Sequence, residues 1–437
     1  MGALRGDPRG FGRRELFKLA AGAAVLPALG ARPASASAAR FTATGTTVAA
    51  LAGLDAVMRD FMRERGISQA QLAVGREGRL LYARGYTLGG HEPVTRPDSL
   101  FRVASLSKHI TATAITLLAQ EGRLDLSAPV PGLLRLAPGP GRRADPRLAE
   151  VTVRRLLHHL GGWDRDLSGD PLWSDAAIAA ALGVSLPLDH GLIMTYVTGR
   201  PLDHAPGTRV AYSNYGYMLL GRIVEKAGGT SYPAYVTERI LRPLGITRMR
   251  PGRSPRARAA PGEVAYRSGL TRPDVTRPGG RPVPYPYGGF NLGTNDANCG
   301  WLASAPDLVR LATVFDPPSP VLTEDSIAAM FAAPETGVNP DGWYYGYGWQ
   351  VRPLPGGRNT WHTGSMPGTY TLLTRRWDGI AYAALFNRRA EGTDPAYHVI
   401  DPLLYDAVSA VRRWPARDLT PALFRVPEPH RVLNAGS

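Results

Sequence analysis

The chain has 437 residues, and 44% of them are hydrophobic, so it can bury a large core as one large domain or two ordinary ones. The 50 glycines and 39 prolines argue for many loops rather than disorder. A formal charge of +15 leaves nucleic acid open at first, while the single cysteine, Cys299, excludes an internal disulfide.

The N-terminus reads as a targeting segment. Arg13-Arg14 precedes a short apolar, alanine-rich run from Leu19 to Ala31, followed by Ala34-Ser35-Ala36-Ser37-Ala38. This is the pattern of a twin-arginine export signal over residues 1–38. The apolar run is too short for a membrane span of about 20 residues, so no integral span is expected in the mature form. Removing residues 1–38 takes away six basic and two acidic residues and leaves +11. An exported protein, extracellular or in the cell wall or periplasm, has little occasion to meet nucleic acid. An anionic cell-envelope surface is the partner such a charge suits.

Leu51, Leu54, Val57, Met58, Phe61 and Met62 recur at three and four, which predicts an amphipathic helix over 49–65. Gln71–Val74 and Leu80–Tyr82 flank Glu77-Gly78 as a hairpin. Ser105 opens a helix that is apolar nearly all round and ends at Gly122. Val151–His159 predicts a short helix capped by Thr152, and Tyr215–Ala227 another, closed by Gly228-Gly229. Residues 250–286 hold eight arginines and eight prolines against Glu263 and Asp274, and read as a long, mostly irregular insertion. Pro306–Phe315 is a helix, Thr360–Ser365, Tyr370–Arg375 and Ile380–Phe386 are strands, and Val399–Arg412 is a closing helix. From Trp414 the chain is proline-rich and reads as a loose tail, 414–437. Strands at both ends and helices between them predict an α+β fold. Its antiparallel sheet comes from both chain ends (about 45–105 and 290–413) and is flanked by helices. A mostly helical lobe, about 106–250, is inserted within a catalytic domain spanning 45–413.

Three short motifs carry chemistry. The chain has only three lysines, Lys18, Lys108 and Lys226. Arginine cannot give up its proton, whereas an amine can be tuned to do so. Lys108 lies three residues after Ser105, on the same helical face, as a serine activated by lysine requires. Tyr212-Ser213-Asn214 follows a Pro-Gly turn; a tyrosine near a cation can relay a proton, and an asparagine can hold an amide and orient a lysine. His362-Thr363-Gly364-Ser365 sits on a late strand, where glycine permits close approach to the strand edge and histidine adds a polar, at times positive, group. Each motif alone has an ordinary reading as a cap or a packed side chain. No G-x-S-x-G, H-E-x-x-H, P-loop or dinucleotide fingerprint occurs, so no metal or cofactor is expected.

Together, S-x-x-K, then Y-x-N about a hundred residues on, then H-T-G on a late strand resembles the serine β-lactamase and D-alanyl-D-alanine carboxypeptidase superfamily. Phe101 to Ser105, Val151 to His159, and Gly356 to Phe386 resemble further stretches of that family. The resemblance implies a β-lactamase/transpeptidase-like fold and an acyl-enzyme formed on Ser105. It implies that Lys108 and Tyr212 move the proton and that Asn214 steadies Lys108 and the substrate amide. It puts the oxyanion hole at the N–H groups of Ser105 and Ser365, with Thr363 and Gly364 beside it and His362 where class C β-lactamases carry lysine. The expected substrate is a small peptide, ester or β-lactam. D-amino-acid peptides lead, with carboxylesterase or β-lactamase activity as alternatives. A non-catalytic module binding muropeptide is the rival from another class. Two departures stand out: Leu160-Gly161-Gly162 replaces the family's Thr-Ser-Gly, and the 250–286 insertion has no counterpart.

Overall fold

The computed structural model describes residues 40–90 and 92–424. The export-signal reading of 1–38 and the end of the tail lie outside these residues. Eight strands form one antiparallel sheet: β1 (Phe41–Gly45), β2 (Gln69–Arg76), β3 (Arg79–Leu88), β4 (Tyr344–Tyr345), β5 (Gln350–Leu354), β6 (Gly357–Met366), β7 (Thr369–Arg375) and β8 (Ile380–Phe386). Their order is β1-β3-β2-β8-β7-β6-β5-β4. The two ends of the chain meet where β8 pairs with β2, from Ile380 opposite Arg76 to Phe386 opposite Ala70. The fold is therefore the expected α+β arrangement.

Period-two alternation decides which residues face which layer. Leu72, Val74, Tyr82 and Leu372 face α1 (Ala52–Arg65), whose Leu54, Met58, Phe61 and Met62 fill that side. Ala73, Ala83 and Leu373 face the larger core, and so does Leu80, because the β2–β3 register shifts at Val74/Gly75 and breaks the alternation there. That core is built on α2 (Ser107–Gln120), α3 (Val153–Leu157), α4 (Asn214–Gly228) and α5 (Ala305–Ala312). Helix α6 (Ile400–Ser409) closes the α1 side. The apolar body of α2 is buried from Ser107 to Leu118, as a helix without a polar face must be. Thr152 caps α3 by accepting from the Arg155 N–H, and Ser304 and Asp307 form a reciprocal capping box on α5.

One expectation is corrected and one is filled in. The tail is docked rather than loose as far as Phe424: Leu419 N–H donates to the Leu80 carbonyl at 2.8 Å, and Leu419 and Phe424 are buried in the main core. Two apolar side chains in a proline-rich stretch are enough to anchor it, and composition alone hid them. The 250–286 segment is irregular and more than half exposed, and it is pinned to the fold at a few buried points. It contains a two-stranded ribbon, Thr271–Pro273 with Pro282–Pro284. Its Glu263 meets Arg102 at 3.4 Å with both side chains buried, and Tyr266 lies under the same guanidinium at 4.3 Å. A buried charge needs such partners, so the arginine-rich stretch is held from within.

Candidate active site

Ser105 lies in a 3-10 turn, Ala104–Leu106, that leads into α2, so the nucleophile stands one turn before the helix proper. Ala104 is left-handed, with φ +49°, a conformation costly for a residue with a Cβ. The surrounding structure holds it. Thr369 and Thr371 of β7 donate from their hydroxyls to the carbonyls of Arg102 (3.0 Å) and Val103 (2.9 Å). Gly364 packs beside them. A Cβ there would stand 2.2 Å from Thr371 Oγ1 and 2.5 Å from the Val103 carbonyl oxygen. Glycine in the late motif thus lets the sheet approach the serine turn.

Lys108 is fully buried. Its nitrogen lies 2.7 Å from Asn214 Oδ1, 3.0 Å from the Asn298 carbonyl and 3.3 Å from Ser105 Oγ. Burial lowers its pKa to about 7. Asn214 is oriented from its other end, since its Nδ2 donates to Asp170 Oδ2 at 2.6 Å. Ser213, not Asn214, caps α4 by accepting from the Gly216 N–H at 3.1 Å, which leaves the asparagine side chain free for this bridge. The Tyr212 hydroxyl is buried; burial raises its pKa, and the Ser105 hydroxyl opposes this in part. The Tyr212 ring is gripped by Lys108 at 4.7 Å and Arg165 at 4.5 Å.

His362, expected to add a polar, at times positive, group beside the serine, is polar and buried. Its Nε2 meets the Tyr345 hydroxyl at 3.0 Å and its Nδ1 donates to the Thr363 carbonyl at 2.6 Å. Burial lowers its pKa to about 3, so the ring is neutral. It belongs to an aromatic layer with His109, His159, Tyr212 and Tyr345. His159 is left-handed at φ +59°, accepts from the Ser213 N–H at 3.2 Å and lies 4.2 Å from the Tyr212 ring.

A cavity of about 300 Å³ opens over this cluster. Ser105, Asn214 and Ser365 line it; Thr363, Gly364 and His362 do not. Alternation along β6 puts His362 and Gly364 on its buried face, with Gly364 covered by the serine turn, while Thr363 shares the face of Ser365 one step outside the cavity lining. Asn214, expected to hold the substrate amide too, lines the cavity, and its NH2 group spends one of its two hydrogens on Asp170. Arg165, Asp170, Trp173, Tyr285 and Arg389 also line the cavity, and sequence reasoning missed them. They stand in loops and short helical turns with no motif of their own. The one available signal was Tyr285, an aromatic residue among the prolines of the insertion. Beyond Trp361, β6 no longer pairs with β5, so among the described residues its 362–366 stretch has an open edge.

A family model described as Beta-lactamase matches residues 54–403. The chain belongs to the Beta-lactamase family. It is a serine hydrolase of that β-lactamase-related type. Among curated proteins it is similar to Esterase EstB of Burkholderia gladioli, 30% identical over 379 residues, which cover 80% of this chain and 91% of that one. A putative D-alanyl-D-alanine carboxypeptidase of Escherichia coli (strain K12) is 34% identical over 153 residues, about a third of each chain. Among solved structures, D-amino acid amidase from Ochrobactrum anthropi SV3 aligns over 83% of this chain and 99% of that one, with a TM-score of 0.62. At 20% identity that likeness concerns the fold alone.

Proposed function

We propose that this Beta-lactamase family member hydrolyses small carboxylic esters through an acyl-Ser105 intermediate. The observation that carries the mechanism is the set of partners around Lys108. A neutral amine has two hydrogens and one lone pair. Two of its three neighbours, Asn214 Oδ1 and the Asn298 carbonyl, can only accept, so the hydrogens go there. The lone pair is left for the third neighbour, the Ser105 hydroxyl. Lys108 takes the proton as Ser105 Oγ attacks the acyl carbon. Tyr212, whose pKa burial raises, keeps its proton at neutral pH; it passes that proton to the leaving oxygen and takes one from Lys108, which is neutral again. Water then attacks the acyl-enzyme, and Lys108 serves again as base. The N–H groups of Ser105 and Ser365 are the proposed oxyanion donors, each worth about 3 kcal/mol.

The ester is preferred because the relative that matches nearly end to end is an esterase, while the carboxypeptidase relative shares only a third. One observation favours D-amino-acid peptide amides as a second reading. The open edge of β6 at 362–366 can pair with an extended peptide backbone. In either case we infer export by residues 1–38, which the arginine pair and alanine-rich run support.

The test is intact-protein mass after incubation with a fluorophosphonate, alongside turnover of p-nitrophenyl butyrate. A single adduct that Ser105→Ala abolishes, with loss of esterase activity, is the expected result. No adduct and no turnover would hand the case to a non-catalytic muropeptide-binding module. Benzylpenicillin in the same assay sorts the family's branches: a lasting adduct points to the peptidase reading, and rapid hydrolysis to the β-lactamase reading.

A further inference from the structure

The cavity holds a cation that no step of this mechanism uses. Arg389 lies three residues beyond the end of β8, half-buried, and lines the cavity that Ser105 and Ser365 share. Its Nε is shielded from solvent and has no hydrogen-bond partner. Among the described residues it makes no ion pair. Its neighbours are engaged: Arg388 donates to Asp394 at 2.9 Å, and Glu391 accepts from Ser268 Oγ at 2.6 Å and the Gly269 N–H at 2.8 Å.

The acids around the cavity do not neutralise it either. Asp170 accepts from Asn214 and from the Leu172 N–H. Asp166 faces solvent and lies 3.9 Å from Arg165, which is itself stacked on Tyr212. A partly desolvated guanidinium without a partner carries a free-energy cost, because it has lost water and gained nothing. It remains protonated all the same. An anion that enters the cavity removes that cost, and a planar carboxylate matches the fork of donors. Beside it, Trp173 and Tyr285 give an aromatic wall, both packed on Phe290.

From this arrangement we propose that Arg389 binds a free carboxylate on the substrate, so that the enzyme selects anionic esters or amides over neutral ones. The proposal rests on the acyl-Ser105 reading and adds the substrate class to it. Arg389 touches the substrate away from the reacting atoms and determines specificity.

Two matched pairs test it. One is p-nitrophenyl hydrogen glutarate and its methyl ester, with the carboxylate on the acyl side. The other is N-acetyl-D-alanyl-D-lactate and its lactamide, with the carboxylate on the leaving side. The wild type is expected to favour the free acid of one pair in kcat/KM, and which pair it is tells where the carboxylate sits. Arg389→Gln should shrink that acid-to-neutral ratio by roughly ten- to a hundredfold, as loss of a charged hydrogen bond does. Arg389→Lys should restore part of it. Equal preference for both members in the wild type, or a ratio untouched by Arg389→Gln, overturns the proposal. If Arg389→Gln does not melt cooperatively, the wild-type ratio at low and high salt decides: it must fall as salt screens the pair. Fluorophosphonate labelling of the wild type keeps the two ideas apart. A labelled enzyme without acid preference sinks only the Arg389 proposal, and an unlabelled one sinks the acyl-Ser105 reading beneath it.

Discussion

The two walls of the cavity are built on opposite principles. On the helical side, Lys108, Asn214 and Asp170 form a closed chain in which each link has its donor or acceptor in place. On the sheet side, β6 presents an unpaired backbone edge and Arg389 an unpaired guanidinium. A closed chain is rigid and tunes a proton; open groups wait for something to complete them. The difference puts proton transfer on the lobe and recognition on the sheet, which lends the Ser365 N–H to every substrate. Damage to the first should lower turnover of every substrate, and damage to the second should depend on which substrate is offered.

The largest effect should come from Lys108. Lys108→Arg keeps a positive charge but cannot supply a lone pair, and its larger head does not fit a fully buried site. Acylation by Lys108→Arg and by Lys108→Ala should both fall about a thousandfold. Stopped-flow release of p-nitrophenol measures it. The wild type should show the matching pH profile. With the Lys108 pKa lowered to about 7, the base form is lost as pH falls, so kcat/KM should drop below about pH 7 and level off above it. Near-wild-type rates from Lys108→Arg, or a flat profile from pH 5 to 8, would move the base to another group.

Gly364→Ala attacks the sheet wall where it touches the lobe. The new methyl would stand 2.2 Å from Thr371 Oγ1 and 2.5 Å from the Val103 carbonyl oxygen, and the second is backbone of the serine turn. Relief requires the turn to move. A loss of about 1–3 kcal/mol in chemical denaturation, with about tenfold slower acylation, is expected. A stable variant with full activity would show that β6 and the turn are less tightly coupled than they look.

Much of this was legible in the sequence. Lys108 was picked out as an amine in a chain that otherwise prefers arginine, and Asn214 as its steadying partner, because spacing and side-chain chemistry are local properties. The fold class followed from strands at both ends, and from periodicity in elements such as α1 and β8. What could not be read is which way a side chain faces and what it meets across the fold. His362 read as a polar, at times positive, group beside the serine, and only the fold shows it inside an aromatic layer with its pKa lowered by burial. Thr363 belongs to a matching motif and shares the face of Ser365, yet only Ser365 reaches the cavity lining. Arg389 and Arg165 look like two more arginines among 48 until the fold sets them around one cavity.

Between the walls lies a layer of buried histidines, and acid should dissolve it. His158 and His362 have pKa values lowered to about 4 and about 3, and burial pushes His109 and His159 well below the usual value too. Unfolded histidine titrates near 6.5. Below that pH the unfolded chain binds protons that the folded chain refuses, so stability falls as pH falls, with each histidine contributing up to about 1.4 kcal/mol per pH unit. Urea midpoints should therefore drop steeply from pH 6.5 to pH 4. His362→Asn should make that slope shallower. An unchanged slope would mean that His362 is protonated in the fold after all, and would return it to the role of a cation beside the serine.

The smallest effect should come from the docked tail, which touches neither wall. Leu80 N–H donates to Asp418 Oδ1 at 3.1 Å and shares that proton with Thr420 Oγ1 at 3.2 Å. Asp418 also caps the next turn by accepting from the Thr420 N–H at 2.9 Å. Asp418→Ala removes the cap but leaves Leu80 a second acceptor, so the cost should be only about 0.5–1 kcal/mol. The acid-to-neutral ratio and kcat should not move. Adding Thr420→Ala leaves the Leu80 N–H without either side-chain acceptor, and the pair should cost more than the two single changes together. If activity fell with Asp418→Ala while stability held, the tail would be coupled to the cavity, and the division between a catalytic lobe and a recognising sheet would need a third part.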